Sequence, residues 1–426
     1  MALLILFGGF AVLLAIGVPV AVSLCASSLL TLLYLGLPPD VFVIETAAGT
    51  DSSTLLAIPL FVFAGQLMLH GGISEKLIAF ASTLVGHLRG GLGQVNVLSC
   101  LLFGGVSGSA IADVSAIGGS MIPQMVGRGY DRDYAVNVTI SAALVALLVP
   151  PSHNLILYSA AAGGGISIAD LFAAGILPAL LLMVAVMLTA YFVARRRGYA
   201  TAQFPGLGIV ARTLVAALPG LLLVFVIFGG IRAGVFTAVE SASVAVLYAI
   251  VVTVLAYRRL GWAQFKAACA SAAHTSGIIL FVICAAASFG WLLAYLEVPA
   301  QVVAQARTIA DSAVTILVAM NVILLVLGTF MDMAPLIIIC TPIFLPVANA
   351  YGVSPLQFGV ILILNAGIGL ITPPVGSVLF VGTAIGKISI AETMRTIWPF
   401  YLAGLVVLAL VTSVPALSLW LPSVLR

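Results

Sequence analysis

Ser107, Ser109, Asp113, Ser152 and His153 in one half of the chain, and Thr329, Asp332 and Thr372 in the other, are polar side chains set in apolar sequence. They surround glycines and paired prolines. The first group lies in Leu-Leu-Phe-Gly-Gly-Val-Ser-Gly-Ser-Ala-Ile-Ala-Asp (101–113) and Val-Pro-Pro-Ser-His-Asn (149–154). The second lies in Leu-Val-Leu-Gly-Thr-Phe-Met-Asp (325–332) and Thr-Pro-Pro-Val-Gly-Ser (372–377). A proline within a helix gives no N–H and displaces the carbonyl four residues back. Pro150 and Pro151 therefore free the carbonyls of Ala146 and Leu147, and Pro373 and Pro374 free those of Gly369 and Leu370. In hydrocarbon an unpaired carbonyl costs several kcal/mol, so something must bind there. A hard cation with oxygen ligands is one answer, and the nearby hydroxyls and Asp332 add further oxygens.

A second chemistry is a half-helix beginning near Ser109-Ala110 and another near Met333-Ala334-Pro335. Their positive ends can cradle an anion without arginine. Asp113 and Asp332 are intramembrane carboxylates, expected either to function or to cap these half-helices. A rival reading takes Gly105-Val106-Ser107-Gly108 as the GxSG of an intramembrane serine protease, with His153 as base. The second half keeps the glycine and proline pattern but has no serine–histidine pair, so the shared architecture is not built for a nucleophile.

The two stretches are copies. Gly105 and Gly328, Pro123 and Pro346, and the Pro-Pro pairs all stand 223 residues apart, and Ile166–Asp170 echoes Ile388–Glu392 at 222. Such duplication, with matched breaks in apolar segments, points to a secondary transporter. Composition agrees. The chain is 63% hydrophobic and 7% charged, with a mean hydropathy of +1.29, against about 25% charged for a soluble domain. A net charge of +3, with arginines at span ends, gives no surface for nucleic acid. The five cysteines form no CxxC pair and read as small core residues.

The elements that must hold these residues follow from the apolar runs. Residues 2–36 read as one long span, tilted or bent near Pro19, followed by a span over 53–70 and a surface arm over 73–89. A re-entrant hairpin covers 92–127 with its tip at 106–110, and a helix broken at Pro150-Pro151 covers 134–162. Spans follow at 171–194, 213–231, 234–257 and 270–296, where Glu240 is expected to pair with Arg232. An arm over 298–310, a hairpin over 313–349, a broken helix over 356–386 and a span over 397–421 complete the chain. Arg195-Arg196-Arg197 and Arg258-Arg259 are cytoplasmic by the positive-inside rule, whereas the second hairpin's flanks, including Asp311, lie outside. This puts the N-terminus inside and the C-terminus outside. The fold class is thus an all-α polytopic membrane protein with nine crossings and two hairpins. Residues 1–198 and 233–426 form inverted repeats joined by 199–232.

The run 103–113, Gly-Tyr-Asp at 129–131, Val-Pro-Pro-Ser, Leu-Gly-Thr-Phe-Met-Asp and Ile-Thr-Pro-Pro-Val-Gly resemble the DctM-type large membrane subunit of tripartite ATP-independent periplasmic (TRAP) transporters. The resemblance covers essentially the whole chain. It implies an elevator-type, sodium-driven importer of a small organic anion such as a dicarboxylate or sialic acid, in the bacterial inner membrane. It also implies two partners: a small four-helix membrane subunit and a periplasmic substrate-binding protein. By the same resemblance, sodium falls to Ser107, Gly108, Ala146, Leu147, Pro150 and Ser152 in one half. In the other it falls to Gly328, Thr329, Asp332, Gly369, Thr372, Pro373, Val375 and Gly376. Substrate contacts are expected from Ser109, Asp113, His153, Asn154, Thr329, Met331 and Ser377. His153-Asn154 is not a feature of the resemblance and is expected to tune substrate choice. The alternative within the superfamily is a divalent-anion/sodium symporter working without a binding protein.

Overall fold

The apolar run 2–36 does not form one span. In the computed structural model, which describes residues 1–309 and 312–425, a turn interrupts it where Gly17 takes a φ of 86° ahead of Pro19. A π-helical turn at Leu4–Gly8 leads into α1 (Gly9–Ala15), and α2 (Val20–Tyr34) follows the break. The two segments lie antiparallel: a Cβ at Gly9 would sit 3.8 Å from that of Ser27, and the turn at 4–8 also packs along α2. Small residues allow this approach. At 1.5 Å per residue the arms measure about 18 and 22 Å, short of a hydrocarbon core of about 30 Å. The expected tilted span is a hairpin, so Met1 lies at the same end as Leu35.

α3 (Pro39–Ala48) starts on a proline, which suits the first turn. α4 (Ala57–His70) is followed by α5 (Ile73–Val85), bent away by 70° at Gly71-Gly72. α6 (Gly91–Ser107) reverses at Gly108 into α7 (Ala110–Asp113), which runs through a π turn into α8 (Gly119–Gly127). The Asn96 amide reaches the Met125 sulfur at 3.9 Å, so the two limbs fold back on each other as the expected first hairpin. α9 (Arg132–Ala143) and α10 (His153–Ala161) are the halves of the first broken helix.

α11 (Ile168–Arg196), α12 (Leu207–Arg232), α13 (Ala238–Val251) and α14 (Trp262–Tyr295) are long and apolar. The second arm is α15 (Val298–Ile309), and the second hairpin is α16 (Ala313–Phe330) and α17 (Met333–Ala350). Ala310, expected at the end of that arm, Asp311 in its flank, and Arg426 at the end of the second repeat lie outside the described residues. α18 (Pro355–Leu370) and α19 (Ser377–Gly386) form the second broken helix. The short α20 (Ile390–Thr396) turns 104° from α19, and within the span expected over 397–421 α21 (Trp398–Ser413) bends by 59° into α22 (Ala416–Leu425). Among the described residues, six helices are long and apolar enough to cross a membrane: α11, α12, α13 with its extension to Ala256, α14, α16 and α17.

The broken helices are the core. α9 is buried from Tyr134 to Ala143, and α18 from Gln357 to Leu370. α6 packs on α9, α16 on α18, and α11 on α21 and α22, whereas α4 packs on α13 and α14. Ion pairs fasten the loops at two ends. Arg259 pairs with Glu75 at 2.5 Å, and Arg197 with Asp131 at 2.9 Å and Asp133 at 2.6 Å. Arg232 pairs with Asp170 at 2.9 Å, not with Glu240. Glu240 lies at the third position of α13 and closes a capping box with Thr237. The Ile-Ser-Ile-Ala-Asp/Glu echo is a pair of helix starts, where Ser167 and Ser389 each cap the N–H three residues on.

Candidate functional site

At the first break, Pro150-Pro151 is a cis bond, as is Pro373-Pro374 at the second. The first tip is pressed onto its break. A Cβ at Gly104 would lie 2.6 Å from Ala146 Cα, one at Gly105 3.3 Å from the Pro150 carbonyl, and one at Gly108 3.0 Å from the Pro151 carbonyl. The Asn154 amide donates to the Gly108 carbonyl at 3.1 Å, tying the start of α10 to the tip. Of the two carbonyls expected to be bare, that of Leu147 accepts from Ser152 Oγ at 2.6 Å. That of Ala146 takes no hydrogen bond among the described residues. Ser109 caps the downstream limb, accepting from the Ala112 N–H at 3.4 Å. Ser107 Oγ donates to Asp113, which is fully buried and whose second oxygen has no partner among the described residues.

The second tip repeats this arrangement. Gly328 and Gly369 meet backbone to backbone; a Cβ at Gly369 would lie 2.6–2.7 Å from three main-chain atoms of Gly328. The Val375 N–H donates to the Thr329 carbonyl at 3.0 Å, and Ser377 Oγ to Asp332 at 3.1 Å. Asn154 and Ser377, 223 residues apart, thus each bind the tip of their own half. The Gly369 carbonyl accepts from the Thr372 N–H at 2.9 Å, and that of Leu370 stays without a partner among the described residues. Thr372 Oγ1 turns back to the Ile368 carbonyl at 2.7 Å, and Thr329 Oγ1 to that of Val326 at 2.8 Å. Two of the four expected carbonyls are recaptured locally, and one in each half is left.

A cavity of about 930 Å³ joins the halves. Ser107, Ser109, His153, Asn154, Leu147, Asp332 and Leu370 line it, together with α4 and α14. Asp113 lies behind the first tip. Gly108, Ala146, Pro150, Ser152, Gly328, Thr329, Met331, Gly369, Thr372, Pro373, Val375, Gly376 and Ser377 border the tips and breaks without lining the cavity. Sequence reasoning missed the α4 and α14 wall: Gln66, His70, Ser271, His274 and Thr275. The signal was present, since these are isolated polar residues in apolar spans.

Two broken helices, two hairpins and a cavity between their tips define a membrane-transporter fold. The YdaH transporter of Alcanivorax borkumensis shares it, with a TM-score of 0.63 over 90% of this chain and 88% of its own at 15% identity. So does MtrF of Neisseria gonorrhoeae, with a TM-score of 0.57 over 86% and 82% at 13% identity. The family model for the tripartite ATP-independent periplasmic transporter, DctM component, matches residues 7–417. The chain belongs to this family and is a TRAP transporter large permease. It is 34% identical to the C4-dicarboxylate TRAP transporter large permease DctM of Rhodobacter capsulatus, over the full length of both. It is 36% identical to the sialic acid large permease SiaM of Vibrio cholerae, over 98% of this chain and 97% of that one. To the 2,3-diketo-L-gulonate large permease YiaN of Escherichia coli it is 34% identical, over 98% of each. A permease is not an enzyme, and the Ser107 hydroxyl is engaged by Asp113 and not by His153.

Proposed function

We propose that this chain is the translocating subunit of a sodium-coupled importer of a small organic acid in a bacterial inner membrane. It works with a small membrane subunit and a periplasmic binding protein that delivers the solute. The observation that carries this reading is the convergence of both hairpin tips on one cavity, each tip resting on a broken helix that retains one unpaired carbonyl, Ala146 or Leu370. Sodium fits there by chemistry. The donors are main-chain carbonyls and hydroxyls, and the described residues contain no His/Cys/Asp/Glu cluster suited to a transition metal. A cation held between tip and break fastens them together, supplementing the Asn154–Gly108 and Val375–Thr329 bonds. The starts of the downstream limbs, at Ala110 and Met333, then offer their N–H groups to a carboxylate. Ion binding that orders the site is what links the two fluxes.

The ion pairs support an orientation. With Arg197 and Arg259 cytoplasmic, Glu75, Asp131 and Asp133 share their face, and Asp170 and Arg232 share the other. Because 2–36 folds back, the N-terminus in this orientation lies outside, opposite to the expectation from a single span. The cavity runs beside the cytoplasmic halves of α4 and α14, which fits an inward-facing state; alternation then moves the tips relative to those helices.

Uptake of labelled succinate, sialic acid and 2,3-diketo-L-gulonate into proteoliposomes, with both partners, tests the proposal. One of these acids should accumulate only with an inward sodium gradient and its binding protein. Accumulation that is indifferent to sodium would refute the coupling.

A further inference from the structure

Three of the chain's four histidines, His70, His153 and His274, line the cavity between the tips, and among the described residues no lysine or arginine does. Among the described residues, Asp332 is the only carboxylate on that lining. An acidic solute therefore enters a space where the Asp332 carboxylate repels it, and of the side chains on the lining only imidazole can become positively charged. Two of the three stand on the α4–α14 wall and not on the tips or breaks. His70 is at the end of α4, and His274 is in the first half of α14. His70 Nδ1 lies 2.9 Å from the Gln66 carbonyl. A carbonyl only accepts, so Nδ1 carries the hydrogen and Nε2 is the ring nitrogen left over. In the neutral ring Nε2 is itself an acceptor and cannot bind a carboxylate. With a proton taken from solution it becomes a charged donor.

The geometry points to His70 and His274 as a recognition pair that holds the carboxylate of the solute on the α4–α14 wall of the cavity, His70 taking up one proton as the anion binds. This rests on the reading of the chain as a carrier of organic acids. It adds that selectivity is built into both sides of the cavity, and that an acid is held more tightly as pH falls. The groups that face the pair are few. His153 and Asp332 come from the tip side, and Arg259, which lies against Gly72 just beyond His70, is paired with Glu75.

A cysteine placed at Ser271, one helical turn from His274 on the same wall, reports the charge of the cavity without knowledge of the solute. The chain is reconstituted with Cys25, Cys269 and Cys284 replaced by alanine. Ser271→Cys is then labelled with an anionic methanethiosulfonate (sulfonatoethyl) and a cationic one (trimethylammonium-ethyl). Taking the ratio of the two rates cancels the ionisation of the thiol. For a separation of about 8 Å and an effective dielectric of about 40, one imidazolium gained between pH 8 and pH 6 should speed the anionic reagent about fivefold and slow the cationic one by about as much. His70→Gln, alone or with His274→Gln, should flatten the ratio. A double variant that inserts normally and keeps the full pH slope overturns the assignment, since the charge then belongs elsewhere. A chain that shows the slope and its loss but carries no acid keeps the histidine pair and removes the transport reading. In the uptake assay the double variant should raise KM for the acid at pH 6 by about tenfold and far less at pH 8, a split that a structural defect would not produce.

Discussion

Gly369→Ala puts one methyl group where the second tip rests on its break. Its Cβ would stand 2.6–2.7 Å from the carbonyl carbon, Cα and oxygen of Gly328. Main chain cannot rotate away as a side chain can, so the two segments must part by about 1 Å to reach normal contact near 3.5–4.0 Å. Overpacking of this kind costs about 1–3 kcal/mol. A cation pocket assembled from both segments exists only when they touch, so that cost falls on the ion. Sodium affinity should drop roughly 5- to 150-fold. The gradient between related variants sharpens the test. Gly328→Ala approaches Gly369 Cα at 3.2 Å and should be milder, whereas Gly119→Ala meets nothing within 4 Å and should be silent. The assay is the sodium concentration for half-maximal uptake in proteoliposomes. Wild-type sodium dependence in Gly369→Ala, with normal insertion, would refute the contact as part of an ion site.

Asp332→Ala removes a tip carboxylate and its bond from Ser377; it should abolish sodium-dependent uptake while the chain still inserts, as judged by yield and monodispersity. Ser107→Ala strips the fully buried Asp113 of its donor and should cost about 1–3 kcal/mol, read as a lower melting temperature in detergent; unchanged melting would mean that Asp113 finds another donor. Burial alone would raise the Asp133 carboxyl, but hydrogen bonds from Arg197 outweigh it and hold the group below the usual carboxylate range. The folded-state value is thus the lower one, so this stabilisation is present above about pH 4 and is lost as pH falls through the folded value. Thermal stability should therefore decline in acid, and Arg197→Ala should shrink that part of the decline.

The tips and breaks are legible in sequence because glycine and proline act locally. Gly108 and Gly17 mark turns by their φ, and Pro-Pro breaks a helix wherever it falls. The repeat adds a second copy as a check. What is not legible depends on contacts distant in sequence. The fold-back of 2–36 needs α2 to meet α1, and an apolar run long enough to span carries no sign of that beyond Gly17-Val-Pro and a stripe of small residues. Likewise, proline predicts which carbonyls are freed, but not that Ser152 and the Thr372 N–H reclaim two of them. Arg232 lies near Glu240 in sequence, yet chooses Asp170 on α11. His70 and His274 are single polar residues on separate helices, and only packing brings them to one wall.

Binding of radiolabelled sodium to the purified, reconstituted chain, in competition with choline, bears most directly on the paired cation pockets. Wild-type protein should bind sodium saturably. Gly369→Ala should lose one part of that binding, and Gly104→Ala, whose Cβ would meet Ala146 Cα at 2.6 Å, should lose the other. Saturable binding that both variants retain in full would contradict the account.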